Sequence, residues 1–219
     1  MTITGWAQTY SVSSNLKSEY MGFNGAIFHE QPVLQTDLSL SWPSGVYTGI
    51  WHSVGFDDKS LSSNFGDEVD IYVGWARSWR SLNVNTGTIF VDVYPVTTMP
   101  GGDVLFSYLE ANTAFNSLSP FVRIDHSLPL VGQKPVRGTF TSAGLRHQWA
   151  INQNTSIKQE IKTMHDTGTF GFDAGWLSQY LLTCNWHGFN IHVRGSYPLT
   201  KLSQRQPKLV CGGGYSFTF

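Results

Sequence analysis

DEVDIYVGWARSW, residues 67–79, alternates with a period of two. Val69, Ile71, Val73 and Trp75 fall on one face, and Glu68, Asp70, Tyr72 and Gly74 on the other. Side chains at i and i+2 share a face only in extended chain, so this is a β-strand with an apolar and a polar side. Residues 33–42, VLQTDLSLSW, repeat the pattern, with Leu34, Leu38, Leu40 and Trp42 against Gln35, Asp37, Ser39 and Ser41. Residues 189–199, FNIHVRGSYPL, place Phe189, Ile191, Val193, Gly195, Tyr197 and Leu199 opposite Asn190, His192, Arg194, Ser196 and Pro198. No window shows comparable helical spacing.

Twelve strands follow from this reading: 3–17, 32–42, 45–56, 67–79, 82–94, 103–112, 119–128, 137–150, 155–166, 174–186, 189–199 and 208–219. The first supports either face. A tilted strand crosses a bilayer in about 9–11 residues, and most of these are at least that long. Their connections alternate in length. Residues 43–45, 80–81, 113–118, 152–155 and 187–188 are short, whereas 57–66, 95–102, 129–136, 167–173 and 200–207 are longer. Short turns on one rim and long loops on the other mark an up-and-down transmembrane barrel. The expectation is an all-β, antiparallel transmembrane barrel of about twelve strands, with residues 1–219 forming a single domain.

Composition agrees. Charged residues are 13%, against roughly 25% in ordinary globular proteins, while aromatics are 14%. The net charge of −1 and the lack of a basic run argue against nucleic acid as a partner. No apolar run is long enough for a transmembrane helix. MTITGWAQTY has neither the basic start nor the apolar core of a secretory leader.

One apolar face per strand must be buried. A soluble sandwich or lipocalin-like barrel would turn it inward; an outer-membrane barrel turns it to lipid. The polar faces are rich in ionisable groups of both signs, and the apolar faces carry aromatics near strand ends, as interfacial girdles do. The outward assignment makes Trp42, Trp79, Trp149, Trp186, Tyr197 and Phe219 the membrane-interface residues. It makes Asp37, Tyr47, Trp51, Glu68, Asp70, Tyr72, Asp92, Glu110, Arg123, Asp125, Arg146, Lys158, Lys162 and Arg194 the lumen lining. Closure is required, because an open edge in hydrocarbon leaves backbone groups unsatisfied. The chain ends in YSFTF (215–219), the last half of a closing strand.

The middle of the chain resembles the TorF porin family of Gram-negative outer membranes. The resemblance rests on Gly45, Tyr47, Gly49, Trp51 and Ser53, on Glu68, Asp70, Tyr72 and Gly74, and on SYLEAN (107–112) with Glu110. It covers 33–112 and the C-terminus; MTITGWAQTY lacks that family's usual leader. It implies an outer-membrane address and a final aromatic residue recognised by the assembly machinery.

The chemistry expected is therefore that of a small porin or passive channel for small polar solutes or ions. Alternatives are a structural or adhesive barrel with ligand-binding outer loops, and a lipid-active barrel enzyme using a rim histidine (His52, His126, His147 or His165). No nucleophile motif accompanies those histidines, so no catalytic residue is expected. No metal-ligand spacing occurs and no cofactor is expected. Acidic Glu68, Asp70, Asp92 and Glu110 either bind or select cations or pair across the lumen with Arg123, Arg146, Lys158, Lys162 and Arg194; pairing is the expectation, since unpaired buried charge is costly. Gly49 and Gly74 are expected to let tyrosines lie flat across neighbouring strands. Cys184 and Cys211 lie two strands apart, beyond the roughly 7 Å reach of a disulfide, and are expected as free thiols facing lipid. Partners are the bilayer and the assembly machinery, with the barrel a monomer.

Overall fold

A computed structural model describes residues 8–56, 68–93, 104–130 and 137–219, without the side chains of residues 92, 93 and 170. Among these, twelve strands close into one antiparallel barrel. They are β1 (Thr9–Lys17), β4 (Val33–Ser41), β5 (Val46–Gly55), β6 (Glu68–Trp79), β7 (Leu82–Val93) and β8 (Val104–Thr113), then β9 (Leu118–Pro129), β10 (Gly138–Asn152), β11 (Thr155–Asp166), β12 (Gly175–Trp186), β13 (Phe189–Pro198) and β14 (Lys208–Thr218). Two short strands, β2 (Tyr20–Met21) and β3 (Ile27–His29), pair separately. Residues 57–66 and 95–102, and most of 129–136, lie outside the described residues.

Consecutive strands are neighbours from β4 to β14, and β1 closes the cylinder by pairing with both β14 and β4. The last residue joins this seam: Tyr10 donates to the Phe219 carbonyl at 3.2 Å and Phe219 donates back at 2.9 Å. Both ends of the described chain therefore lie on the rim of the tight turns. One such turn, His187-Gly188, has φ of 50° and 85°. Positive φ at both central residues is the signature of a type I′ hairpin, whose twist matches that of the strands it joins.

The cylinder is apolar outside. Leu38, Ile50, Ile71, Val73, Leu109, Ile161, Ile191 and Leu209 are all exposed, Ile191 by 71%. An apolar band of this extent is far larger than the few hundred Å² that soluble monomers expose, and a bilayer is the solvent that suits it. Aromatics concentrate at its edges. Trp79, Trp149, Trp186 and Phe219 point outward at the tight-turn rim, with Trp42 half-buried beside its turn. Phe189, Tyr215, Phe217 and Phe219 continue this girdle through ring contacts of 4.5, 4.2 and 6.2 Å. Tyr197 and Trp176 stand exposed at the other rim. Cys184 and Cys211 are free and exposed on the outer face.

Tyrosines lie over glycines inside. Tyr47 is paired with Gly74, Gly49 with Tyr72, and Gly87 with Tyr108. A Cβ added at Gly74 would overlap the tip of the Tyr47 ring, and one at Gly49 the tip of Tyr72. Flattened in this way, Tyr47 donates to Asn85 Oδ1 at 2.5 Å and meets the Tyr108 hydroxyl. Tyr72 donates to Asp37 Oδ1 at 2.9 Å. Overpacking of this kind costs about 1–3 kcal/mol. Gly74→Val should thus lower the urea midpoint of the barrel in detergent, followed by loss of its heat-modifiable gel mobility. Adding Tyr47→Ala should restore part of that loss; a full-strength barrel in the single variant would show that the contact is not tight.

Candidate functional site

The inward faces carry Asp37 on β4, Tyr47 and Trp51 on β5, and Glu68, Asp70 and Tyr72 on β6. They also carry Glu110 on β8, Arg123 and Asp125 on β9, Arg146 on β10, Lys158 and Lys162 on β11, and Arg194 on β13. Asp92, also expected in the lining, lies outside the residues whose side chains are described. The long-loop end of the lumen is apolar. Val91, Val104, Phe106, Phe140, Met164, Leu177 and Leu202 form a buried cluster there, with Phe106 and Phe140 stacked at 6.1 Å.

The ion pairs run along the wall rather than across the lumen. Arg146 grips both Glu110 oxygens, at 2.5 and 3.0 Å, and gives its Nε to Glu160 at 2.8 Å. Arg123 holds Asp125 through Nε and Nη2, at 2.9 and 2.6 Å, and Lys162 reaches Glu160 at 3.5 Å. These groups sit on β8 to β11, whose spacing of about 4.8 Å per strand suits side-chain reach, whereas the lumen is wider. Each guanidinium also rests on a ring, Arg146 4.0 Å from Phe121 and Arg123 4.3 Å from Tyr108. Glu160, on the polar face of β11, belongs to this set.

Residues 18–32, which no strand rhythm marks, enter the lumen from the long-loop side. The β2–β3 hairpin turns tightly, Gly22 donating to the Ala26 carbonyl at 2.9 Å and Gly25 to Gly22 at 3.1 Å. Gly25 has φ of 74°, and a Cβ there would strike Ser196 and Gln179 of the wall. The hairpin touches opposite walls. Tyr20 donates to Glu68 Oε2 at 3.0 Å, and its ring lies 5.7 Å from that of Trp51. Arg194 donates to the Met21 and Gly22 carbonyls at 3.2 and 3.1 Å, and Gln179 to that of Phe23 at 3.2 Å. Phe23 faces Phe106 at 6.4 Å. The segment is a plug.

Below it, a cavity of about 630 Å³ extends to Ser13, Asn185, Asn190 and Ser216 at the tight-turn end. A smaller one, about 350 Å³, lies between the plug, Asp37, Trp51, Tyr72 and Tyr108. Above, the connections after β11 and β13 are lashed over one side of the mouth. Asp166 and Arg205 form a buried ion pair, Asp166 Oδ1 accepts from the Gly168 and Thr169 amides at 2.9 and 2.8 Å, and Phe172 stacks on Phe28 at 5.8 Å. Hydrogen bonds from Ser203 and Gln204 hold the Asp173 carboxyl below the ordinary carboxylate range.

Of the rim histidines, His52 and His126 are exposed outside and His165 lies 4.8 Å from Trp176. His147 Nε2 is 2.8 Å from Ser117 Oγ in the turn before β9. Its other neighbour is the Trp149 ring, at 3.9 Å. Among the described residues no carboxylate bonds this imidazole, so the pair lacks the third group that orients a catalytic base.

The fold is shared with solved outer-membrane channels. The KdgM porin superposes with a TM-score of 0.59 at 9% identity, over 94% of this chain and 99% of that one. A second structure, the KdgM porin in complex with disordered oligogalacturonate, gives 0.55 at 10% identity, over 95% and 99%. The COG4313 outer membrane channel from Pseudomonas putida F1 gives 0.53 at 12% identity, over 97% and 95%. At such identities the likeness is one of architecture. No curated protein sequence matches the chain, and the resemblance to TorF is not confirmed. A family profile does match, over residues 4–122, and it is that of a bacterial protein of unknown function. With more than half its length inside that profile, the chain belongs to the Gcw_chp family.

Proposed function

We propose that this barrel is a passive channel of the bacterial outer membrane for small polar solutes or ions, gated by the plug at residues 18–32. The observation that carries this reading is the polar cavity of about 630 Å³ that runs from the tight-turn rim up to Met21 and Phe23 of the plug. A barrel built only as a scaffold has no need of a solvated interior ending at a detachable stopper. The plug is held by side chains of the barrel: Arg194 and Gln179 bond its carbonyls, Glu68 accepts from Tyr20, Lys208 pairs with Glu19, and Trp51, Phe106 and Phe172 meet its rings. Bonds with a charged partner, as those of Arg194 and Glu68 are, contribute about 1.5–3 kcal/mol each. The strand ladder around it is continuous, so the plug can leave without disturbing the wall. The KdgM porin and the COG4313 outer membrane channel share this architecture. The oligogalacturonate in the second KdgM structure suits the view that such barrels admit elongated polar solutes. The barrel acts as a monomer, without catalysis and without a cofactor.

Planar-bilayer recording tests the reading. Replacing residues 20–30 by a short Gly-Ser turn should raise single-channel conductance several-fold over the parent chain. A barrel that folds and stays silent both with and without the plug would leave a structural or adhesive role. The same reading assigns Phe219 to assembly. Its side chain is 75% exposed and packs on Phe217 alone among the ring contacts of the C-terminal run, so it adds little to the folded barrel. Phe219→Ala, which keeps both backbone bonds to Tyr10, should reduce the amount inserted into the outer membrane of living cells several-fold, while the urea midpoint of protein refolded in detergent shifts only slightly. Equal losses in both measurements would make Phe219 a purely structural residue.

A further inference from the structure

We infer that the vestibule below the plug is a binding site for small multivalent oxyanions, carboxylate- or phosphate-bearing; this rests on the channel reading and names its solute class. The charge balance of the cavity comes first. Its lining holds six cations, Lys17, Arg123, Arg146, Lys158, Lys162 and Arg194, against the two carboxylates of Asp125 and Glu160. Arg123, Arg146 and Lys162 have carboxylate partners in the wall. Lys17, Lys158 and Arg194 have none among the described residues. The bonds of Arg194 go to the Met21, Gly22 and Gln179 oxygens, all neutral. A largely buried cation bonded only to neutral oxygens is poorly compensated, and an entering anion supplies the missing charge.

The wall between β1 and β13 is also shaped for a ligand. Its intervening strand β14 turns Gly212 and Gly214 of the run CGGGY inward, which leaves room for the His192 ring and the Asn15 amide to lie over them. Register places Lys17 and His192 on either side of Gly212, and Asn15 and Asn190 on either side of Gly214. The result is a polar groove in the cavity wall, lined by one cation, one imidazole and two amides. His192 Nδ1 is bonded to Asn190 Oδ1 at 3.1 Å, while its buried Nε2 has no partner. Lys and Asn donors at a groove edge suit oxyanions and the hydroxyls that flank them. Lysines on two walls of one cavity, Lys17 on β1 and Lys158 and Lys162 on β11, also raise the local anion concentration in a salt-dependent way.

The test is titration calorimetry of the folded full-length barrel in detergent at low salt, with citrate and inorganic phosphate as separate probes. Saturable binding of either probe, weakening steeply as sodium chloride is raised, is the expected result; citrate alone, phosphate alone or both then says which anion the groove accepts. Lys17→Gln combined with Lys158→Gln should lower the affinity at least tenfold, with heat-modifiable mobility confirming closure. Arg194 is left intact because it also holds the plug. Lys208→Gln, at the outer rim where Lys208 meets Glu19 at 3.6 Å, should change affinity less than twofold. Absence of saturable binding for both probes, or equal weakening by Lys208→Gln, overturns the inference. Should the double variant fail to fold, His192→Ala replaces it, with a loss of at least threefold expected and an unchanged affinity counting against the site. The two readings fail separately: a barrel that binds citrate but never conducts loses the channel and keeps the site, and one that conducts without binding loses only the site.

Discussion

Everything in this molecule depends on the seam where β1 lies between β14 and β4. In hydrocarbon an unpaired strand edge has no water to turn to, and each exposed backbone group costs several kcal/mol. Closing the sheet removes the edge. It also forces the strand count to be even when both ends of the cylinder's chain lie on one rim, and it separates tight turns from long connections. The inversion of faces follows from the same constraint, because a closed sheet in lipid must turn its apolar residues outward and keep its polar ones for the lumen.

A lumen of twelve strands poses a second problem. Eight strands can be filled by side chains alone, and sixteen leave a channel. Three fillers share the space here: tyrosines laid over glycines on β5 to β8, the apolar cluster at the long-loop end, and the plug. They differ in how firmly they are held. The tyrosines and the cluster belong to the wall and cannot move without it. The plug is a separate two-stranded unit tied by side-chain bonds, so it is the part of the interior whose opening asks least of the rest.

Much of this was legible from alternation. The twelve strand spans differ from the observed elements by one or two residues at most ends, because a two-residue period survives wherever one face meets lipid. Inward parity was legible for the same reason, down to Tyr47, Glu110 and Arg194. The pairing of Arg146 with Glu110 and Glu160 was recognisable in kind but not in direction, since alternation reports which face a residue is on and says nothing of distance around the wall. The plug was missed for a deeper reason. SEYMGFNGAIFHEQP (18–32) has too few alternating positions for a membrane strand, and its partners, Glu68, Gln179 and Arg194, are far away in sequence. Gly22 and Gly25, with aromatics on either side, were the signal that a compact hairpin rather than an open loop lies there.

The plug and the charge of the vestibule meet in one side chain. Arg194 lines the cavity and at the same time donates to the two plug carbonyls. A guanidinium has five N–H donors in a fixed plane, so it cannot present its full fork to an anion while both Nη groups remain on Met21 and Gly22. If the vestibule fills with an oxyanion as inferred, the anion and the plug compete for the same hydrogens. Competition of this kind is reciprocal by linkage: an anion that draws on Arg194 loosens the plug, and a plug that seats firmly weakens the anion. The bonds at stake are charge-assisted and worth more than neutral ones, whereas the Tyr20–Glu68 tie does not use Arg194. The solute that fits the charge of the vestibule is therefore also the one placed to weaken the stopper above it.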